Sequence, residues 1–463
     1  MADETVDKTE ETAGAGDDAT ATAPAEETAV TAAETPVADD AFGTSKEDTA
    51  AAEAPDTGEA ASEPVEAAPV VREAMLIRPD VGFVKEIISG GGADLKKCYQ
   101  CATCSVVCNL TPDDSPFPRK EMMWAQWGLK DKLMGDPDVW LCHQCSDCVA
   151  QCPRGAKPGR VLQAIAKMTI SSFSQPSFLT KAVGSPGALV LMAAIPMLIL
   201  AAVIGVFGHF SPERGEMIGG KLEHPGDIVY GSFLGHWPIV GLFSTFFVLS
   251  IIILAMGVRS YWGALKTHAA DEGNPIQGSG LSKLGPVLGE ILTHKRFGKC
   301  DETEDRKISH MFIFYAFALL FTATAISTVM TDLPLLWGGE GVPSPYPTIS
   351  FVKLFAYPGA AAGIIGIGLI TINRFKHQEK IGLGGYFDWM LITVIILLMV
   401  TGIGAAAFRL ANIGVLAYPI YFVHLTTVLF LFIYAPFSKM AHMVYRTVAL
   451  TFARVSGRDT GIE

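Results

Sequence analysis

The sequence predicts an all-α chain made of a disordered N-terminal tail, a small helical domain and a six-helix transmembrane domain. Three observations predict it. Acidic charge is concentrated in the first 70 residues, eight of the nine cysteines fall between residues 98 and 152, and six long apolar stretches follow residue 187. The corresponding boundaries are 1–74 for the tail, 75–186 for the cysteine domain, 187–445 for the membrane domain and 446–463 for a C-terminal tail.

Residues 1–70 contain 19 Asp or Glu against Lys8 and Lys46, a net charge of −17, set among Ala, Thr, Pro and Gly. A segment this charged, with almost no aromatic side chain, cannot bury enough apolar surface to offset the entropy of ordering it, so a solvated spacer is expected. Since the whole chain is −12, residues 71–463 carry about +5, and the acidity says nothing about the working domains. The tail lacks a basic n-region and an apolar core, so it is not read as a secretory signal peptide.

The membrane domain rests on apolar stretches at roughly 187–209, 236–258, 309–331, 351–373, 386–408 and 415–438. Each reaches the about 20 helical residues that a hydrocarbon core requires, and each is too long and too poor in charge for a buried helix of a soluble protein. The loop after the second stretch carries eight basic residues, among them Arg259, Lys283, Arg296 and Arg306, whereas 332–350 has none. The positive-inside rule then places both termini in the cytoplasm, in a multi-pass protein of the cytoplasmic membrane.

The cysteines form two blocks of identical spacing: Cys98, Cys101, Cys104 and Cys108 in CYQCATCSVVC, and Cys142, Cys145, Cys148 and Cys152 in CHQCSDCVAQCP. Three closely spaced thiolates can take three corners of an iron–sulfur cubane while the fourth reaches a neighbouring cluster. The spacing therefore predicts two [4Fe-4S] clusters, one on Cys98, Cys101, Cys104 and Cys152, the other on Cys142, Cys145, Cys148 and Cys108. One block alone could be a zinc site, but two complete blocks point to clusters, and thiols on the cytoplasmic side stay reduced rather than forming disulfides. Between the blocks, RKEMMWAQWGLKDKLM reads as one amphipathic helix, with Trp124, Trp127, Leu129, Met134 and Trp140 covering the clusters. Cys300 stands alone in a loop with no assigned role.

An ionisable side chain at membrane depth is costly without a partner or a ligand, which singles out the membrane histidines. His424 and His442 lie 18 residues apart, which on one continuous helix is five turns, roughly 27 Å along a single face. His310, at the cytoplasmic start of the third stretch, shares the depth of His442, so this pair is expected to ligate a haem b from opposite sides. A second, outer haem would use His424 with His236, or with His209 in its place. The ordinary alternative for a lone membrane histidine is an interhelical hydrogen bond. His143, His224, His268, His294 and His377 fall in the cysteine domain or in loops and are expected at the surface.

On these residues the chain resembles known families. The stretch from His424 through PFSKMAH to His442 is similar to the last helix of the cytochrome b gamma subunit of respiratory nitrate reductases, and His310 matches the first of two haem ligands on that family's second helix. The second of those ligands would fall on Leu320, a departure that puts the outer haem in doubt. Lys353, in FVKLFAYPG, resembles the family's quinol-site lysine, and an interfacial snorkelling lysine is its plain alternative. The cysteine domain resembles the small iron–sulfur subunit of heterodisulfide reductases and the membrane half their cytochrome subunit. Their fusion in one chain is similar to the C subunits of the quinone-interacting membrane-bound oxidoreductase complexes of sulfate reducers.

That resemblance implies cytoplasmic flavin and iron–sulfur subunits as partners, menaquinone in the membrane, and electrons exchanged with adenylylsulfate reductase. No nucleic-acid partner is expected. The chain shows no GxGxxG after a strand and no paired-cysteine CCG motif, so it is expected to conduct electrons while chemistry on a soluble substrate happens elsewhere. Two rivals keep the architecture: a membrane subunit of a heterodisulfide-reductase-like or sulfite-pathway complex, and a ferredoxin module fused to a haem-free anchor or transporter.

Overall fold

A computed structural model describes residues 78–458 of the protein apart from 114, 208–227, 277–279, 300–304 and 343–344. The acidic tail, His209, His224 and Cys300 lie outside the described residues. The fold is all-α, with no strand among the described residues, and Ala74–Glu463 forms one compact unit.

Short helices wind the cysteine domain around its two loops. Asp80 caps α1 (Val81–Ser89), its carboxylate accepting from the Phe83 N–H at 2.9 Å. Helix α2 (Thr103–Val106) lies inside the first cysteine block. The stretch expected as one amphipathic helix is instead two, α3 (Arg119–Gln126) and α4 (Lys130–Met134). They part at Gly128, which has φ +68° and sits so close to Asp80 that a Cβ would lie 2.7 Å from the Asp80 carbonyl oxygen. The turn buries Trp124, Met134 and Trp140 but leaves Trp127 46% exposed, so Trp127 does not cover the cysteine loops as expected. Helices α5 (Asp138–Leu141) and α6 (Asp147–Ala150) flank and enter the second block. Helix α7 (Pro158–Phe173) starts with proline at its first position and buries Val161, Leu162, Ile165 and Met168 against the others.

Helices α8 (Ser177–Val183), α9 (Leu189–Phe207), α10 (Tyr230–Phe233), α11 (His236–Asp271), α12 (Leu281–Thr293), α13 (Asp305–Leu336), α14 (Phe351–Lys376), α15 (Gln378–Ile381), α16 (Tyr386–Leu410), α17 (Gly414–Tyr434) and α18 (His442–Val455) complete the fold. Six helical stretches, built on α9, α11, α13, α14, α16 and α17, are long and apolar enough to cross a membrane, which marks a membrane protein. At 36 residues, α11 is roughly 54 Å long, far beyond a bilayer's apolar thickness. Its last turns instead insert Tyr261, Leu265 and Ala269 into the core of the cysteine domain. Helices α13 and α14 close on each other over Gly359 and Gly366, where a Cβ would stand 3.0 Å from Leu320 Cγ and 2.8 Å from the Ile313 nitrogen.

His424 and His442 do not share a helix. Helix α17 ends at Tyr434, two 3-10 turns at Ala435–Phe437 and Lys439–Ala441 follow, and α18 begins at His442. Pro436 removes a donor from the ladder and Ser438 is extended, so the five-turn spacing read from the sequence does not apply.

Candidate metal centres

The two cysteine loops are built alike. Each places two non-glycine residues at positive φ, Gln100 (61°) and Ala102 (67°) in the first, Gln144 (54°) and Ser146 (78°) in the second. Such a conformation costs about 1 kcal/mol or more per residue and persists where the surroundings demand it. Its effect is to curl the main chain around the sulfurs: the Gln100 N–H donates to Cys98 Sγ at 3.4 Å and the Gln144 N–H to Cys142 Sγ at 3.3 Å. Helices α2 and α6 then carry Cys104 and Cys148 inward.

Cys98, Cys101, Cys104 and Cys152 line one cavity, and Cys108, Cys142, Cys145 and Cys148 line the other. The last cysteine of each block has crossed to the other loop, and the Ala156 N–H donates to Cys152 Sγ at 3.3 Å. Burial, and then neighbouring cysteines, push Cys104 and Cys142 up to about 12 and Cys148 well above the ordinary thiol range. Thiolates crowded in this way need a cationic core to hold them deprotonated, which is what iron supplies, so the donor set fits iron–sulfur clusters.

The second quartet abuts the helices that follow the membrane spans. Cys108, Cys142 and Cys145 pack with Val287 and Ile291 of α12 and Leu450 and Ala453 of α18. Arg446 donates from Nε to the Trp140 carbonyl at 2.9 Å and from Nη2 to the Cys142 carbonyl, while Arg306 Nη1 donates to the Gln144 carbonyl at 2.6 Å. Both arginines therefore hold the main chain of the second cysteine loop onto α13 and α18. The first loop is braced from within the cysteine domain instead, by Arg119 Nε donating to the Gln100 carbonyl at 2.8 Å.

Beside this seam the structure brings His310 and His442 together, with ring centroids 6.4 Å apart and planes at 83°. The hydrogen bonds behind them bear on which nitrogens carry the protons. The Lys439 carbonyl can only accept, so His442 Nδ1 donates to it and keeps a lone pair on Nε2. The Leu292 carbonyl likewise takes the Nδ1–H of His294 at 3.4 Å; neutral His294 Nε2 then accepts from His310 Nδ1 at 2.8 Å, which leaves a lone pair on His310 Nε2 as well. Two metal–imidazole bonds of about 2 Å on one axis, with half a ring at each end, span about 6 Å, so the pair fits an iron held between two Nε2 atoms.

His294 was expected at the surface and is 4% exposed; His143 and His268, expected there too, are each 7% exposed. Helices α11 to α13 pack over the cysteine domain and bury all three, a tertiary effect that local polarity hides. His294 is the functional residue the sequence concealed, and its only signal was a place 16 residues before His310. His143 stacks edge-on to Phe297 at 4.7 Å, and Phe297 stands 5.0 Å from His310, so a column of rings links the second cysteine loop to the histidine pair.

His424 and His236 are not brought together. His424 Nδ1 lies 3.1 Å from Thr401 Oγ1, and His236 Nε2 approaches Asp332 Oδ1 at 2.7 Å, too bent for a hydrogen bond but within ion-pair range. Lys353 sits near the start of α14, its ammonium 5.5 Å from the centre of the Tyr357 ring.

A family model described as 4Fe-4S dicluster domain matches residues 94–156, the span of both loops, so the chain carries iron–sulfur clusters. Citrate utilization protein B of Escherichia coli is 27% identical over 348 residues, 70% of this chain and 83% of that relative. The C subunit of the H(2):CoB-CoM heterodisulfide,ferredoxin reductase of Methanothermobacter marburgensis is 32% identical over 120 residues, 25% of this chain, and the match spans 63% of that relative. The C2 subunit of the H(2)/formate:CoB-CoM heterodisulfide,ferredoxin reductase of Methanococcus maripaludis is 34% identical over 95 residues, 19% of this chain and 51% of that relative. No solved structure matches the chain. A family model described as Citrate utilization protein B matches residues 183–461, more than half of the chain, and the protein belongs to that family.

Proposed function

We propose that this protein is the membrane subunit of a quinone-linked oxidoreductase complex, carrying single electrons between a quinone in the cytoplasmic membrane and soluble partner subunits in the cytoplasm. One observation carries the reading: two histidines stand 6.4 Å apart with both Nε2 lone pairs free, directly behind a cysteine quartet. In this reading His310 and His442 hold a haem b, Cys142, Cys145, Cys148 and Cys108 hold one [4Fe-4S] cluster, and Cys98, Cys101, Cys104 and Cys152 hold the other. These groups supply reversible one-electron chemistry. The chain's own part is to space them, to keep water from them and to set their potentials through His294, Lys439 and the main-chain donors of the cysteine loops.

A quinone site in the outer half, near Lys353 and His424, would complete the route. The proposal stops at one haem, because among the described residues no second imidazole faces His424 as His442 faces His310. Both termini are placed in the cytoplasm by the basic loops.

As to partners, we favour flavin and iron–sulfur subunits exchanging electrons between menaquinol and adenylylsulfate reductase, as in the sulfate-reducer complexes the sequence resembles. A heterodisulfide-reductase-like complex accounts for the cysteine domain equally well. The E. coli relative supports a third partner set, belonging to citrate utilization, because it matches over most of its length. Copurified subunits decide among them. Pyridine haemochrome quantitation tests the core of the proposal: one haem b per purified polypeptide is expected, and none in His310→Ala. A wild-type protein without haem overturns it.

A further inference from the structure

The two cysteine cavities differ in what surrounds them. The second is enclosed by α12 and α18, and none of its cysteines is exposed. In the first, Cys101 is exposed, the neighbouring Tyr99 is 66% exposed, and Val106 of α2 is 82% exposed. Arg119 and Arg154 line this first cavity and no carboxylate does. Arg154 lies 4.1 Å over the Tyr99 ring, which holds its charge at the opening. Lys96 and Lys97 lie in the turn Leu95–Lys97 directly before Cys98, and Lys157 lies five residues after Cys152. Among the described residues, Asp94 pairs with two of these five cations, 2.6 Å from Lys97 and 3.0 Å from Lys157.

We infer that the rim of the first cavity is the docking surface for the soluble electron carrier, and that the carrier meets it with an acidic patch around its own redox centre. The inference rests on the proposed function and specifies its outer end. The physical argument has two parts. Electron transfer needs the closest approach of the two centres, and the first quartet is the one that holds an exposed cysteine. A cationic rim around an apolar opening also raises the encounter rate of an anionic surface and repels a cationic one. Tyr99 and Val106 then give the docked carrier apolar contact at the centre of a charged ring. The step itself is a balanced one-electron exchange: the reduced carrier loses one electron, the cluster gains it, and no bond forms or breaks.

The test uses the full-length protein in detergent with both clusters loaded, and an acidic flavodoxin, reduced to the hydroquinone, as the probe. Stopped-flow absorbance follows cluster reduction as salt is raised. The rate should fall steeply with ionic strength, and the double variant K97E/R154E should slow it at low salt by about tenfold or more. K130E, at the exposed start of α4, should leave it unchanged. A salt-insensitive rate, or an equal loss in K130E, would overturn the inference. So would binding to vesicles of anionic phosphatidylglycerol that K97E/R154E abolishes while its flavodoxin rate stays at the wild-type value, since the rim would then face lipid. Iron and sulfide content of K97E/R154E guards against misfolding. A wild-type protein with no clusters would instead defeat the proposed function itself.

Discussion

Replacing Lys120 by Met should cost the folded protein about 3–5 kcal/mol, because it strips a buried cation from between buried carboxyls. The Lys120 ammonium stands 2.9 Å from Asp138 Oδ2, 3.2 Å from Asp136 Oδ2 and 3.4 Å from Glu121 Oε1, and none of these acids is more than 1% exposed. Arg458 closes the cage, donating from Nε to Asp138 Oδ1 at 2.8 Å. Two cations facing three carboxyls are neutral only when one carboxyl keeps its proton. Burial pushes Glu121 well above the usual carboxylate range, with Lys120 opposing and Asp136 and Asp138 adding to the rise. Burial works on Asp136 too, yet Lys120 and Arg458 outweigh it and hold that group down at about 2.

The two acids act oppositely on stability. Asp136, ordinarily near 3.8, contributes roughly 2 kcal/mol that is fully present above that value and lost as pH falls through about 2. Glu121 keeps a proton that the unfolded chain releases above about 4.5, so its effect is a decline in stability as pH rises from there toward its raised value. Glu121→Gln, which copies the protonated form, should therefore cost less than about 1 kcal/mol at neutral pH and flatten that decline. Urea unfolding of the detergent-solubilised protein, followed by loss of cluster absorbance between about pH 5 and 8, reads the Lys120 and Glu121 effects. Glu121→Gln costing as much as Lys120→Met would refute the assignment of the proton.

Three further outcomes follow from the metal centres and the helix packing. Cys145→Ser should remove one cluster and leave the other, halving non-haem iron per polypeptide, as read by non-haem iron assay and by EPR of the reduced protein. His294→Phe keeps the ring stack but takes away the acceptor behind His310; a less basic axial ligand should raise the haem potential, and a tenfold shift of the equilibrium reads as 59 mV in a one-electron titration. An unmoved potential there would mean that His294 does not tune the proposed haem. Gly366→Ala puts a methyl 2.8 Å from the Ile313 nitrogen and should cost about 1–3 kcal/mol in thermal stability, because α13 and α14 must separate to admit it.

The helices and the cysteine quartets were legible because they rest on local regularities. An apolar run of twenty residues has one use in a chain this poor in interior charge, and a doubled CxxCxxCxxxC brings its sulfurs together within a few residues. What stayed hidden depends on contacts between distant segments. Nothing in RKEMMWAQWGLKDKLM announces that Gly128 must pass against Asp80, so the periodicity suggested one helix where there are two. His143, His268 and His294 sit in polar windows and looked superficial, yet α11 runs far past the membrane and α12 and α13 fold back, which buries them.

The pairing of His310 with His442 shows the difference most sharply. On an unbroken helix, the phase from His424 would have fixed where the His442 ring points. The chain instead breaks at Pro436 and Ser438, and the turn at Lys439–Ala441 presents the Lys439 carbonyl to His442 Nδ1. That carbonyl also takes the Nδ1 proton, so the break both carries the imidazole to His310 and leaves its Nε2 unprotonated. Lys439 is itself tied to Asp388 on α16, which accepts from Gln163 of the cysteine domain at 2.7 Å. The orientation of one ring thus depends on how the cysteine domain seats on the membrane helices, so a loose seam would turn His442 away from His310.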